Sequence, residues 1–122
     1  SEDTRIGYLL GRLFAVLEKL ETDITPSLNT TIRDRYYSRA CCTPKTVFGT
    51  LLRLHTYHLN KIKNQLWKIR TEKRIEEILL DIHEFPSHLS LDDQGLFAIG
   101  YYHQRQDMFT KIISIKEIHD ES

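Results

Sequence analysis

Four side chains near the middle of the sequence have the chemistry of metal ligands: Cys41, Cys42, His55 and His58. Their spacing argues against a metal site. Zinc-binding cysteines are separated by about two to four residues so that the chelate loop can close, whereas adjacent cysteines point apart. On a helix over this segment His55 and His58 fall among apolar neighbours, the setting of core histidines satisfied by a hydrogen bond. Asp92 and Asp93 form a carboxylate pair, but at the first turn of a helix they answer the positive end of its dipole. Ser90 has no evident base partner, and a capping role accounts for it. No phosphate-binding loop or nucleophile elbow is present. The sequence therefore predicts no catalytic residue, metal or cofactor, and reads as a binding module.

A second constellation has more substance. Arg33, Arg35 and Arg39 are interleaved with Tyr36 and Tyr37, and Arg53 and Lys61 follow. The arginine fork matches phosphate oxygens, and tyrosine can stack on an unpaired base. The formal net charge is zero, yet residues 25–75 hold eleven Lys and Arg against only Asp34 and Glu72. Residues 76–122 hold ten Asp and Glu against Arg105, Lys111 and Lys116. Such asymmetry predicts one side facing a polyanion and another side with a different task. The alternative is that the two halves neutralise each other across a packed bundle, with the tyrosines in the core. No residue set resembles a helix that reads base edges, so the expected mode is backbone contact without sequence preference. Arg33, Arg35, Arg39, Arg53, Lys61 and Tyr36 are the candidate nucleic-acid-binding residues.

These residues need helices to position them. Residues 4–23 carry Ile6, Leu9, Leu10, Leu13, Val16, Leu17 and Leu20 at helical spacing, with Asp3 or Thr4 as cap and Thr25-Pro26 as stop. Gly7 and Gly11, four apart, indicate close helix packing. A short second helix is expected over about 29–41, capped by Asn29, Thr30 or Thr31. Thr43-Pro44 opens a third, whose apolar period persists to about 65–69. Its polar surface carries no acid between 45 and 70. A fourth helix is expected over about 71–84, ended by Phe85-Pro86. Ser90-Leu91-Asp92-Asp93 resembles a capping box opening a fifth, to about 113. Apolar residues surround most of that fifth helix, which predicts a central position or a covering partner. There are no strand signals.

The whole reads as an all-α bundle of about five helices, one domain over 4–113 with a loose tail at 114–122. A chain of 122 residues can bury roughly two-thirds of its unfolded surface without disulfide or metal. The adjacent cysteines form no disulfide framework, and the polar start Ser1-Glu2-Asp3-Thr4 does not read as a signal peptide. No apolar run approaches a membrane span, so a cytoplasmic protein is expected.

Three strings carry a family resemblance. They are Tyr8-Leu9-Leu10-Gly11-Arg12-Leu13-Phe14-Ala15-Val16-Leu17-Glu18, Asn29-Thr30-Thr31-Ile32-Arg33-Asp34-Arg35-Tyr36-Tyr37, and Phe85-Pro86-Ser87-His88-Leu89-Ser90-Leu91-Asp92-Asp93-Gln94-Gly95-Leu96-Phe97 running into Gly100-Tyr101-Tyr102-His103-Gln104-Arg105-Gln106. Together they resemble the C-terminal region of the large subunit of the type I-C CRISPR Cascade complex, over about residues 5–110. Its matches fall on Arg33, Arg35, Tyr36, Arg53, His58 and Arg105, and it is weakest over 63–80. In that family the C-terminal bundle is also made separately, as the small subunit. The resemblance implies a non-catalytic small subunit beside the crRNA-bound backbone subunits, the large subunit and other copies of itself. It further implies stabilisation of the R-loop through the displaced strand or the crRNA–DNA heteroduplex of the target, with cleavage left to a separately recruited helicase–nuclease. A helical adaptor that binds only protein is the alternative.

Overall fold

Three glycines determine how closely the two longest helices approach. A methyl group at Gly7 would collide with the carbonyl of Asp93, one at Gly11 with that of Phe97, and one at Gly100 with that of Tyr8. Only glycine lets two helix backbones come so near. The computed structural model describes residues 5–24 and 32–121, with side chains as far as Phe109. It has five helices: α1 (Ile6–Ile24), α2 (Ile32–Cys42), α3 (Pro44–Leu59), α4 (Gln65–Leu79) and α5 (Leu91–Glu121). The fold is an all-α bundle, as the pattern predicts, and no strand occurs among the described residues. No described helix is long and apolar enough to cross a membrane.

α1 and α5 run parallel. Tyr8 Oη meets His103 Nδ1 at 2.9 Å, and Arg12 Nε donates to Gln104 Oε1 at 3.0 Å, so residue numbers rise together along the seam. α1 touches all four other helices and is the centre of the molecule. Its Leu9, Leu10, Leu13 and Phe14 are almost wholly buried. The expectation of a central α5 needs correction. α5 buries Phe97, Gly100, Tyr101, Gln104 and Met108 and leaves Leu91, Ile99, Tyr102 and Phe109 exposed on another face. An all-round apolar helix here has one face on α1 and a second that stays largely exposed, met by Arg33 at Tyr102.

Four helix boundaries also differ from the pattern. The apolar period crosses residues 60–64 without a break, yet α3 ends at Leu59 and α4 begins at Gln65. Asn64 explains the new start, because its side chain accepts the backbone N–H of Trp67 at 3.0 Å. Ile62 stays buried across the turn with Leu20 and Leu59, which is why the periodicity does not register it. α4 closes at Leu79, before Phe85-Pro86, and α5 runs to Glu121, past the boundary near 113.

The predicted stops and caps act in several ways. Pro44 takes the first helical position of α3, but the Thr43 hydroxyl donates back to Arg39 O at 3.0 Å and does not cap α3. The Lys45 N–H finds the carbonyl of Pro86 instead, at 3.0 Å. Phe85 stacks on Phe48 with centroids 5.5 Å apart, so the α4–α5 link pins the start of α3. Ser90 Oγ accepts the N–H of Asp93 at 3.1 Å, as a capping residue should. The caps expected at Asp3 or Thr4 and at Asn29, Thr30 or Thr31, and the stop at Thr25-Pro26, lie outside the described residues.

Candidate nucleic-acid interface

α2 is held on the α1–α5 pair by a ring cluster. Tyr37 makes edge contacts with Phe14, Phe97 and Tyr101 at centroid distances of 5.6, 5.3 and 5.2 Å. Tyr37, half-buried, thereby packs against the core, and burial raises the pKa of its hydroxyl. With Tyr37 facing inward, helical spacing determines where the neighbouring arginines go.

Arg33 reaches α5. Its Nη2 donates to Tyr102 Oη at 2.7 Å, and its guanidinium lies 5.4 Å from the Tyr101 ring centroid and 5.7 Å from that of Tyr102. Tyr101 above all, then Tyr102, raises the Arg33 pKa against an opposing effect of burial. Beneath it Tyr101, fully buried, donates to Glu18 Oε1 at 2.6 Å. Burial and that hydrogen bond hold the Tyr101 hydroxyl well above the ordinary tyrosine range, so it is a permanent donor. Arg105 completes the group, with Nε 3.9 Å from Glu18 Oε1 and its guanidinium 5.4 Å from the Tyr101 centroid.

Arg35 reaches α1. Its Nη2 lies 3.1 Å from both carboxylate oxygens of Glu21, whose side chain is 4% exposed. Tyr36, half-buried, lies under two cations, Arg35 at 5.5 Å and Arg39 at 5.0 Å. Arg39 also donates to Arg35 O at 3.1 Å and meets no acid among the described residues.

Arg53 and Lys61 are placed differently. Arg53 is exposed and makes only a long contact, 3.4 Å, with Thr50 Oγ1. Lys61 Nζ sits 4.2 Å from the centroid of Tyr57, a ring that is itself 58% exposed. Neither has an acidic partner among the described residues. The six candidate residues therefore form two groups: Arg33, Arg35, Tyr36 and Arg39 on α2, and Arg53 and Lys61 on and just beyond α3.

Of the four metal-ligand candidates, all but Cys42 are buried or half-buried. Among the described residues no three His, Cys, Asp or Glu side chains gather as a metal-holding group. Cys41 is half-buried, 3.8 Å from Gln94 O, and burial raises its pKa, so it stays a thiol; Cys42 is exposed. His58 is buried, and its pKa is lowered by burial, with Glu21 opposing and Lys61 and Arg35 adding to the fall. His55 departs from the expected satisfied histidine: its Nδ1 is buried without a hydrogen-bond partner among the described residues. Burial lowers its pKa too, against an upward pull from Glu72. A cleft of about 210 Å³ between α1 and α5 is lined by Glu18, Lys19, Arg105, Met108 and Phe109. Its charged groups are already paired, Lys19 with Asp23 and Arg105 with Glu18.

Glu18, Glu21, Tyr57 and Tyr102 escaped sequence reasoning. Glu21 stands four residues after Leu17 and seven after Phe14, on the apolar stripe of α1. A carboxylate there must be paired, and that signal was available. Tyr57 stands four after Arg53 on the acid-free surface of α3, where only its exposure marks it as more than core.

No curated protein matches the chain. The family model described as CRISPR-associated protein (Cas_Csd1) matches residues 1–109, which takes in α1 to α4, the described side chains of α5 and every candidate residue. The chain belongs to the Cas_Csd1 family of CRISPR-associated proteins.

Proposed function

We propose that this chain is the non-catalytic small subunit of a type I-C Cascade surveillance complex in the cytoplasm. It stabilises the R-loop by sequence-independent contacts to nucleic-acid backbone, on the displaced strand or the heteroduplex, and braces the neighbouring subunits. One observation carries this reading: a CRISPR-associated chain exposes cations on and just after α3 that no acid among the described residues pairs with. A soluble helix ordinarily mixes signs on its wet face, and unpaired cations in one place are the footprint of a polyanion. The separate apolar strip of α5, with Leu91, Ile99, Tyr102 and Phe109, suits contact with protein neighbours.

The test is a reconstitution. A type I-C complex assembled without this chain should bind target DNA weakly and regain tight binding, with an open displaced strand, when the chain is added. Equal binding with and without it would overturn the proposal. The apolar strip of α5 also favours a second reading, a helical adaptor that touches only protein. That reading predicts a chain whose charge reversals on α3 leave the salt dependence of DNA affinity unchanged.

A further inference from the structure

Lys45, Gly49, Arg53, Tyr57 and Lys61 stand four residues apart in an unbroken row. Residues so spaced form one inclined ridge on a helix surface. The ridge lies on the side of α3 turned away from the core: all are exposed except Gly49, which is half-buried. At 1.5 Å per residue the helical part, Lys45 to Tyr57, extends about 18 Å, and Lys61 continues the row in the turn after α3, long enough together for several nucleotides of an extended strand. The flanking positions Thr46, Thr50, Thr56 and Asn60 are neutral and polar, so no acid stands on this face.

Two members of the ridge are unexplained by the fold. Gly49 lies inside a helix, where glycine costs stability relative to alanine. The other three glycines with close neighbours are forced by touching backbones, but a Cβ at Gly49 would meet only the tip of Arg53, at 3.9 Å. The bundle does not need glycine there. Tyr57 is a large ring left 58% exposed; it lies outside both apolar core clusters, touches the neighbouring His58 ring at a centroid distance of 5.8 Å, and has an ammonium 4.2 Å from its centroid.

We propose that this ridge is a track for single-stranded nucleic acid, with a base stacked on Tyr57, phosphates on Lys45, Arg53 and Lys61, and the strand backbone closest at Gly49. The inference rests on the nucleic-acid reading above and gives that reading a location and a strand type. An unpaired base has a free face to offer the tyrosine, which a duplex lacks. Charge complementarity selects the occupant, because a protein partner would need an acidic strip alternating with a stacking group at the same interval.

The experiment uses the full chain and a labelled oligodeoxythymidylate at low ionic strength. Tyr57→Leu should weaken binding about tenfold or more, since stacking contributes roughly 1–3 kcal/mol per base. Tyr57→Phe, which keeps the ring, should bind like the parent. Gly49→Ala should raise the melting temperature and yet weaken binding. If Tyr57→Leu binds like the parent while Arg53→Glu with Lys61→Glu does not, the track is overturned and the backbone-contact reading stands. Equal losses for Phe and Leu would replace stacking by a hydroxyl contact and also overturn it. A parent chain that binds the oligonucleotide no better than the double charge reversal would overturn both.

Discussion

α2 and α3 are both rich in cations, and the structure uses them in opposite ways. α2 lies across α1 and α5, and its Arg33 and Arg35 meet the acids and tyrosines of those helices: Tyr102, Tyr101 and Glu21. α3 presents Arg53, and the turn after it Lys61, to solvent with no acidic partner among the described residues. Positive charge in a sequence therefore says little about availability. What matters is whether the face that carries it also faces a carboxylate. Glu21, nearly fully buried, makes the difference concrete: it engages the Arg35 guanidinium and ties α2 to α1.

The contrast predicts stability losses on α2 and binding losses on α3. The largest effect lies beneath both. Gly11→Leu would force α1 and α5 apart where their backbones touch, costing more than about 3 kcal/mol and, with it, the seat of Arg33; thermal denaturation checks this. Next, Glu21→Ala should cost about 1–3 kcal/mol. It removes the pair to Arg35 and opens a small void, and the partial exposure of Arg35 keeps the loss at the lower end. Arg33→Ala should cost about 1–2 kcal/mol, from one hydrogen bond and its place over Tyr101. Arg53→Glu with Lys61→Glu should leave stability within about 0.5 kcal/mol and weaken binding to nucleic acid. An Arg33 or Arg35 variant that loses binding at unchanged melting temperature would erase the distinction.

Acid should reveal the seam between these regions. The pKa values of His55 and His58 are lowered from 6.5 in the folded state, so the unfolded chain takes up protons first as pH falls. Their contribution is fully present well above pH 6.5 and is lost as pH drops below that value toward their folded pKa values. The melting temperature should decline over that interval. His55→Gln should reduce the slope, because an amide has no charge to gain; an unchanged slope would assign the decline to other groups.

Much of the fold was legible because apolar spacing, Pro44 and the Ser90 cap act locally. The α3–α4 break was not, since Ile62 keeps the apolar period going while Asn64 recaps the chain. The centrality of α1 was half visible: Gly7 and Gly11 announced a close approach but not its partner. In the candidate interface the residue types were legible and their pairing was not. Arg35 and Glu21 are fourteen positions apart, and Arg33 and Tyr102 sixty-nine, so only the tertiary fold joins them. Gly49 could be recognised only once the space above it was seen to be open.

The most direct measurement is the salt dependence of single-strand affinity for the parent and two double variants, with melting temperatures recorded alongside. Arg53→Ala with Lys61→Ala should flatten the slope of log affinity against log salt by about 1.4, at about 0.7 per lost phosphate contact, with unchanged melting. Arg33→Ala with Arg35→Ala should lower the melting temperature and keep the parent slope. A parent slope in the α3 variant, or a flattened one in the α2 variant at unchanged melting temperature, would contradict the division between holding the fold and holding the strand.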